Sequence, residues 1–392
     1  MIPVAEARDH LLSLVSRLRA EQVPLRAAAG RILSGPVKAL QTQPPFAASA
    51  MDGYAIAGDL PEIGTRFRVI GEAAAGHPCP DPVRTGEAIR IFTGAPLPEG
   101  ATRIVIQEDI TRDGDQAIVT QDPDPATHIR PAGGDFTQGT PFERRAPLGP
   151  RDIALLAAMG HATLPVIRKP IIAILMTGDE LRPPGAPLSP GEITASNGYG
   201  LAAMVEAQGA EARLLPIARD THESLATAIA LASGADLLLT IGGASVGDHD
   251  LVAAALQSAG MDAAFHKVAM RPGKPLMAGR LGSMAVVGLP GNPVSAMVCT
   301  RIFVLPMLRQ MLGRLPEAEP ALRRLAAPLP ANGPRQHYMR AATQSDGSIL
   351  AADRQDSSLL SVLASSDILI VRPPHAPQAA AGASVPTLSL SD

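Results

Sequence analysis

Three polar, glycine-bearing segments lie between residues 177 and 293, and each follows an apolar run. The segments are residues 177–180, 242–250 and 289–293. Glycines allow backbone N–H groups to approach a phosphate closely, and carboxylates such as Glu180, Asp248 and Asp250 are hard oxygen ligands suited to Mg²⁺. These residue types therefore predict a site for a phosphate-bearing ligand and a divalent metal.

Each segment also has a purely structural interpretation. The acidic pairs within 179–180 and 248–250 could cap helices, and Leu-Pro-Gly-Asn-Pro at 289–293 could be a tight turn. Residues 243–247 also match the G-x-S-x-G nucleophile elbow of α/β-hydrolases, with Ser245 as the nucleophile. However, two acids within five residues of Ser245 would raise the cost of a developing oxyanion, and no HGGG-type loop precedes it. The coincidence of three such segments favours the ligand site.

A basic cluster follows these acids in the sequence. It consists of Lys267, Arg271 and Lys274. Gly273-Lys274 is followed by Pro275 and lacks the upstream glycine, so it is not a Walker A phosphate loop. The cluster could be a solvated face, but residues 270–275 are too rich in turn residues for a helix surface. We therefore favour a shaped loop that cradles an oxyanion.

The segment 44–55 is apolar but carries Ser49 and Asp52 in a turn setting. It could be a linker with a hairpin turn at Asp52-Gly53. Its periodicity does not decide between that interpretation and a functional one.

The polar segments are positioned by alternating strands and helices. Strands are predicted at 171–175, 212–217, 237–241 and 284–287, and helices at 199–208, from a cap at 220–221 to 231, 251–258 and 294–312. Such alternation is typical of a doubly wound, mostly parallel sheet, in which ligands bind beyond the carboxyl ends of the strands. All three polar segments would meet at that edge.

The remaining regions have a different texture. A helix is predicted at 4–20 and another at 153–159. Between them, strands at 66–70, 88–92, 103–106 and 116–120 and a turn at 113–114 predict a small β domain. After Pro316 the pattern is again β-like, with a turn at 346–347 and a short helix near 359–364.

Composition bounds the class of protein. A length of 392 residues predicts roughly two to four domains. The aromatic fraction of 3% and the net charge of −3 argue against a nucleic-acid partner or an anionic membrane. Two distant cysteines exclude a disulfide framework and fit a reducing compartment. With no signal-peptide pattern at residues 1–20 and no apolar run of the roughly 20 residues that a membrane span needs, we expect a cytoplasmic protein.

Seven motifs together resemble one family. In order they are PPFAASAMDGYA (44–55), IFTGAPLPEGA (91–101), RPAGGDFTQG (130–139), TGDEL (177–181), GGASVGDHD (242–250), RPGKP (271–275) and LPGNPVSA (289–296). The sequence resembles the molybdopterin molybdenumtransferases of MoeA type, which include the E domain of gephyrin. The motifs occur in the family's order and cover nearly the whole chain.

The resemblance implies a multidomain α/β protein and a homodimer. The expected domains are an elongated helical one (1–40 with 136–168), an inserted β domain (41–135), a molybdopterin-binding α/β domain (169–315) and a C-terminal β domain (316–392). The active site would lie between the α/β domain and parts of the partner subunit. The implied reaction inserts molybdate into molybdopterin-AMP with Mg²⁺ and releases AMP, and a molybdopterin adenylyltransferase is the expected upstream partner.

The resemblance also implies residue roles. Catalytic contributions would come from Asp52, Thr93, Asp135, Glu180, Asp220 and Asp250. Glu180, Asp248 and Asp250 would hold Mg²⁺. Substrate-binding residues would be Ser245, Asp248, Lys267, Arg271, Lys274, Pro275, Pro290, Asn292, Pro293 and Ser295, with Arg340 and Ser358 completing the molybdate site.

Two departures from the family pattern are visible. Arg271 stands where the family usually has lysine, and Ser357-Ser358-Leu359 replaces the familiar Ser-Ser-Arg. Two related functions compete with the transferase. A molybdopterin adenylyltransferase would lack the 40–150 insert, and a scaffold like gephyrin would not need the intact acidic residues.

Overall fold

The computed structural model describes residues 1–242, 251–315 and 320–390. The chain forms two compact units, of which one is Gln22–Pro165 and the other combines Met1–Glu21 with Val166–Asp392. The finer division into four domains stays a prediction.

The described helices and strands are as follows. Helices are α1 Val4–Ser13, α2 Pro150–Ala158, α3 Asn197–Ala207, α4 His222–Leu231, α5 Leu251–Ser258, α6 Pro293–Cys299, α7 Leu305–Met311 and α8 Leu360–Ala364. The first twelve strands belong to the Gln22–Pro165 unit, except that β1 and β12 extend across its two boundaries. They are β1 Ala20–Pro24, β2 Val37–Lys38, β3 Ala48–Ser49, β4 Gly53–Ile56, β5 Arg66–Ala73, β6 Glu87–Ile91, β7 Arg103–Ile106, β8 Ile110–Asp113, β9 Gln116–Val119, β10 Ile129–Arg130, β11 Pro141–Phe142 and β12 Thr163–Ile167. The later strands are β13 Ile171–Met176, β14 Leu181–Arg182, β15 Ile193–Thr194, β16 Glu211–Leu214, β17 Leu237–Ile241, β18 Asp262–Lys267, β19 Met270–Arg271, β20 Pro275–Leu281, β21 Met284–Leu289, β22 Ala321–Arg324, β23 Gln336–Thr343, β24 Ile349–Ala351, β25 Ile368–Arg372 and β26 Ser384–Ser389.

The predicted doubly wound sheet is present in the larger unit. Its described strands are ordered β16-β13-β17-β21-β20-β18. The first four are parallel to one another, whereas β20 and β18 run antiparallel at one edge. One face packs against α3 and the helix that begins at Pro293, and the other packs against α4 and α5. Because both faces are covered, β17 is buried at every position, which explains its continuous apolar sequence.

Two strands of this sheet and the end of helix α1 differ from the prediction. Strands β18 and β20 were not predicted, because their short polar-and-alanine patterns carry little strand signal. Helix α1 ends at Ser13 rather than at residue 20. The side-chain amide of Gln310 donates to the carbonyls of Leu12 (2.9 Å) and Val15 (2.8 Å). A residue that is distant in sequence therefore provides hydrogen bonds for carbonyl groups at the end of this helix.

The predicted helix at 294–312 is confirmed as a continuous helical segment of α6, a π-helical turn at Thr300–Val304 and α7. Pro306 cannot donate a backbone hydrogen bond, which fits a local change in helical pairing. By length and composition alone, this is the one helix of the described chain that could cross a membrane. However, 89% of its apolar window is buried inside the protein, as in an ordinary core helix.

The Gln22–Pro165 unit contains the predicted β structure. Its main described sheet is ordered β7-β4-β6-β5-β9-β8, and the predicted turn at 113–114 joins β8 to β9. Strand β4 is buried throughout, with Tyr54 and Ile56 on one face and Ala55 on the other. Gly53 begins β4 instead of forming a hairpin turn, so the turn interpretation of Asp52-Gly53 is wrong.

A third sheet completes the larger unit, with the described order β19-β23-β25-β26-β22 and β24 paired to β23. Strand β19, which carries Arg271, runs parallel to β23 with Arg271 opposite His337. The basic loop is therefore bonded directly to the C-terminal sheet.

We expect Gly53→Ala to destabilise the Gln22–Pro165 unit. A Cβ at Gly53 would lie 2.1 Å from the carbonyl oxygen of Val105 on β7, and only a backbone shift could relieve that clash. The free energy of unfolding should fall by about 1–3 kcal/mol, measured by chemical denaturation. Gly35→Ala is the control, because a Cβ there meets nothing within 4 Å. Equal stability of the two variants would contradict the close approach.

Candidate active site

The carboxyl ends of the parallel strands meet at one edge of the sheet. Thr177 follows β13 and forms a parallel bridge with Ala218, which follows β16. The N–H of Thr177 donates to Ile241 at the end of β17 (3.1 Å), and the N–H of Gly242 donates to Leu289 at the end of β21 (3.2 Å). The prediction that these segments converge on one edge is therefore confirmed for the described residues.

The point where the strand order reverses lies between β13 and β17. The chain passes from β13 to β16 on one side and then returns to β17 on the other. Gly242 has φ +100°, and a Cβ there would lie 2.8 Å from the carbonyl oxygen of Thr177. Only glycine fits, which leaves exposed backbone where open α/β sheets bind their ligands. The hydroxyl of Thr177 is buried here without a hydrogen-bond partner in the described chain.

Three carboxylates gather beside this point. The backbone N–H of Asp220 donates to Oδ1 of Asp179 (3.3 Å). The carboxylate of Glu180 folds over Gly178, since a Cβ built there would lie 2.6 Å from Oε2. Burial raises the pKa of Asp220, and the negative charges of Asp179 and Glu180 raise it further. Within the described ranges, no lysine, arginine or histidine lies within 4.0 Å of these carboxylates.

This surplus of negative charge fits a divalent cation, which would lower the electrostatic cost of holding the three carboxylates together. Of the predicted Mg²⁺ ligands, only Glu180 is described, because Asp248 and Asp250 lie outside the described residues, as does the predicted substrate-binding Ser245. Among the residues that the structure does describe, no group of three histidine, cysteine or acidic side chains is arranged to hold a metal.

The basic loop is held in a defined shape. Lys267 pairs with Pro275 across β18 and β20, and the N–H of Val268 donates to the carbonyl of Lys274 (2.9 Å). At Gly273, with φ +103°, a Cβ would lie 2.4 Å from the sulfur of Cys299 in α6. The loop is thus packed onto that helix while Arg271 and Lys274 stay exposed. This arrangement fits the predicted shaped loop.

The segment 289–293 leads into helix α6. Pro290 is buried, Asn292 precedes the helix, Pro293 is its first residue, and Ser295 is buried in its first turn. The amide of Asn292 donates to the hydroxyl of Ser357 (3.0 Å) instead of capping the helix. The N–H of Val294 donates to the carbonyl of Ser357 (3.1 Å). The segment is therefore joined to the loop that carries Ser358.

Several cations surround His337 in the C-terminal sheet. Burial above all, and then the positive charges of Arg271, Arg335, Arg340 and Arg372, together lower the pKa of His337 to about 4. His337 is thus neutral at pH 7, and the local charge is carried by arginines. Sequence reasoning missed His337 and Arg372, because only the register of β23 against β19 and β25 brings them together.

The two predicted residues of this domain differ in setting. Arg340 is 1% exposed, whereas Ser358 is exposed. The hydroxyl of Ser358 donates to Oδ1 of Asp356 (2.6 Å), and this bond is the main cause of a lowered pKa of Asp356.

In the Gln22–Pro165 unit, Asp52 and Thr93 are directly bonded. Oδ1 of Asp52 accepts from the backbone N–H (2.7 Å) and the hydroxyl (2.8 Å) of Thr93. These two bonds, aided by the charge of Arg90, lower the pKa of Asp52. Thr93 therefore holds the carboxylate of Asp52 in a fixed orientation and favours its ionised form.

Arg90 was not predicted, although it organises this region. Its guanidinium lies over the rings of Tyr54 (5.1 Å) and Phe92 (4.7 Å) and donates to the carbonyl of Gly53 (3.0 Å). The one indication in the sequence was that Arg90 lies in the middle of the predicted strand 88–92. Asp135 is exposed on a loop whose N–H groups bond the carbonyl of Gln43.

Comparisons with known proteins agree over the whole chain. Residues 2–160 match a family described as "MoeA N-terminal region (domain I and II)", 173–310 match "Probable molybdopterin binding domain", and 323–390 match "MoeA C-terminal region (domain IV)". A molybdopterin molybdenumtransferase of Nostoc sp. is 35% identical, with 86% of this chain and 81% of the relative covered. Molybdopterin molybdenumtransferase 2 of Mycobacterium tuberculosis is also 35% identical, with 97% and 98% covered.

A solved structure shows the same architecture. The molybdopterin biosynthesis moea protein from Pyrococcus horikosii superposes with a TM-score of 0.86 at 28% identity, covering 100% of this chain and 99% of that protein. The predicted multidomain α/β fold is thereby confirmed.

Asp179→Asn is expected to lower the pKa of Asp220, because it removes a neighbouring negative charge. Because the pKa of Asp220 is higher in the folded than in the unfolded protein, the free energy of unfolding falls as the pH rises from the unfolded-state pKa to the folded-state pKa. This fall should be smaller in the variant. Carboxyl carbon NMR titration of ¹³C-labelled aspartate measures the pKa. Asp59→Asn, in an exposed loop of the other unit, is the control. A pKa of Asp220 that is the same in all three proteins would show that the carboxylates do not interact.

Proposed function

This chain belongs to the molybdopterin molybdenumtransferases, transferases of molybdenum cofactor biosynthesis, and from this premise we propose that it inserts molybdate into adenylylated molybdopterin, releasing AMP with the help of Mg²⁺. The reaction would take place in the cytoplasm, on a substrate supplied by a molybdopterin adenylyltransferase.

The observation that carries the proposal is the separation of charge within the larger unit. Carboxylates gather at the ends of β13 and β16, while Arg271 and Lys274 supply positive charge on the loop that packs against Cys299 of α6, and the buried Arg340 supplies it in the C-terminal sheet. The two substrates need both kinds of group. A pyrophosphate linkage is handled with a divalent metal, whereas molybdate is a tetrahedral dianion that cations and N–H groups bind.

The roles follow from this chemistry. Arg271 and Lys274 draw molybdate from dilute solution and hold its oxygens by charged hydrogen bonds. Glu180, Asp248 and Asp250 would hold Mg²⁺, which would neutralise phosphate charge as the P–O bond breaks, and Asp220 would contribute to catalysis beside Glu180. Asp52, fixed as a carboxylate by Thr93, and Asp135 are the catalytic contributions of the other unit.

The direct test incubates the protein with molybdopterin-AMP, molybdate and Mg²⁺ and measures AMP. We expect AMP release that needs all three components. Absence of both AMP and active cofactor in the complete mixture would refute the proposed reaction. Release of AMP that needs neither molybdate nor Mg²⁺ would also count against it.

Lys274→Ala should raise the molybdate concentration needed for half-maximal AMP release by about one to two orders of magnitude, because a charged hydrogen bond is worth roughly 1.5–3 kcal/mol. Arg271→Ala should behave alike, whereas Arg271→Lys keeps the cation and most of the activity. Lys38→Ala, an exposed lysine of β2, is the matched control. If both alanine variants keep the molybdate dependence of the wild type, the cluster is a solvated surface.

We also propose a homodimer, as the family resemblance implies. Sedimentation at micromolar protein should show a species of twice the chain mass, and a monomer at all concentrations would refute it. Asp52→Ala and Lys274→Ala should each be inactive at low molybdate and regain part of the activity when mixed and allowed to exchange subunits. No recovery after verified exchange would argue against a site shared between subunits.

A further inference from the structure

The guanidinium of Arg340 is buried without a carboxylate partner. Arg340 lies on β23 and is 1% exposed. It shares a face of the strand with Tyr338, which packs in the same core cluster as Val294 of α6. Buried arginines are normally paired with acids. Within the described chain, however, no carboxylate oxygen lies within 4.0 Å of this side chain.

The partner of Arg340 is instead the neutral amide of Gln355. Its Oε1 accepts from the backbone N–H (3.0 Å) and from Nε (3.3 Å) of Arg340. Its Nε2 donates to the carbonyls of Arg340 (2.9 Å) and Ala352 (2.8 Å). A further bond joins Nη1 of Arg340 to the carbonyl of Leu359 (3.4 Å). These neutral acceptors fix the guanidinium, and the negative charge of Asp356 acts on it without a direct bond.

Asp356, the acid whose charge acts on Arg340, is bonded to another group. Its Oδ1 accepts from the N–H (2.8 Å) and the hydroxyl (2.6 Å) of Ser358. In the turn at 355–358, the amide of Gln355 therefore bonds Arg340, and the hydroxyl of Ser358 bonds Asp356. The turn is also anchored to the start of α6, because Ser357 accepts from the amide of Asn292 and the N–H of Val294.

We propose that Gln355 is a positioning residue that holds the Arg340 guanidinium in place while keeping its charge available for a tetrahedral oxyanion. This inference rests on the proposed function, since molybdate is the oxyanion concerned. A glutamate at this position could accept the same two bonds from Arg340, but its charge would turn the arginine into one half of a buried ion pair. The cation would then be lost to the ligand, and the two bonds that the amide donates to the carbonyls of Arg340 and Ala352 would be lost as well.

Gln355→Glu is the decisive variant. We expect its dissociation constant for molybdate alone, measured by calorimetry, to rise about tenfold or more, as for the loss of one charged hydrogen bond. In the AMP-release assay, KM for molybdate should rise with little change of kcat at saturating molybdate. Gln344→Glu, which adds the same charge to the hairpin between β23 and β24, should bind molybdate as the wild type does.

A merely structural role predicts a different pattern. Gln355→Met and Gln355→Glu both lose the two bonds that Nε2 donates, but only Gln355→Glu adds a charge. A structural role would therefore lower the melting temperature and the molybdate affinity about equally in both variants, whereas the proposed role predicts a clearly larger loss of molybdate affinity in Gln355→Glu. Arg340→Gln separates this inference from the proposed function. If Arg340→Gln weakens molybdate binding and Gln355→Glu does not, the role of Gln355 is wrong. If both variants bind molybdate like the wild type, Arg340 does not bind molybdate, and the proposed role of Gln355 is wrong as well.

Discussion

The parallel pairing of β13 with β17 determines which groups can meet in this protein. Both strands are buried on both faces, so their register is fixed by the two cores that they separate. Their carboxyl ends bring Thr177 and Gly242 into contact, and a side chain at Gly242 would collide with Thr177. The open backbone at this point therefore follows from core packing, and the acidic and glycine-rich segments depend on it.

The acidic and the basic groups of the candidate site lie in different regions of the larger unit. Burial and the neighbouring carboxylates of Asp179 and Glu180 raise the pKa of Asp220, whereas burial and the surrounding arginines lower the pKa of His337, so that its imidazole is neutral at pH 7. Strand β19 follows β18 of the α/β sheet and pairs with β23 of the C-terminal sheet, so the basic groups belong to the opposite edge of the α/β sheet from β16. The two proposed substrates, one with a pyrophosphate linkage and the other an oxyanion, would need acidic and basic groups that are kept apart, since mixed charges would cancel each other.

The sequence allowed the parts of the fold that depend on continuous apolar runs to be predicted. The runs at 171–175 and 237–241 are strands because only strands buried on both faces are so short and so uniformly apolar. The end of α1 could not be predicted, because it depends on Gln310, which is distant in sequence. Likewise, the family resemblance implied a role for Arg340, but its partner Gln355 follows from a turn that no local pattern specifies.

The same chain shows that a carboxylate partner for a partly buried arginine is available to this fold. Arg168 lies near the amino-terminal end of β17, away from the candidate site, and donates to both oxygens of Asp236 (2.8 and 2.5 Å). This bond to Asp236 is the main cause of the raised pKa of Arg168. That pair is complete by itself and can only stabilise the sheet. Arg340 is more deeply buried, yet its partner is an amide. The cost of burying that charge without a directly bonded carboxylate is accounted for if an anion binds there during function.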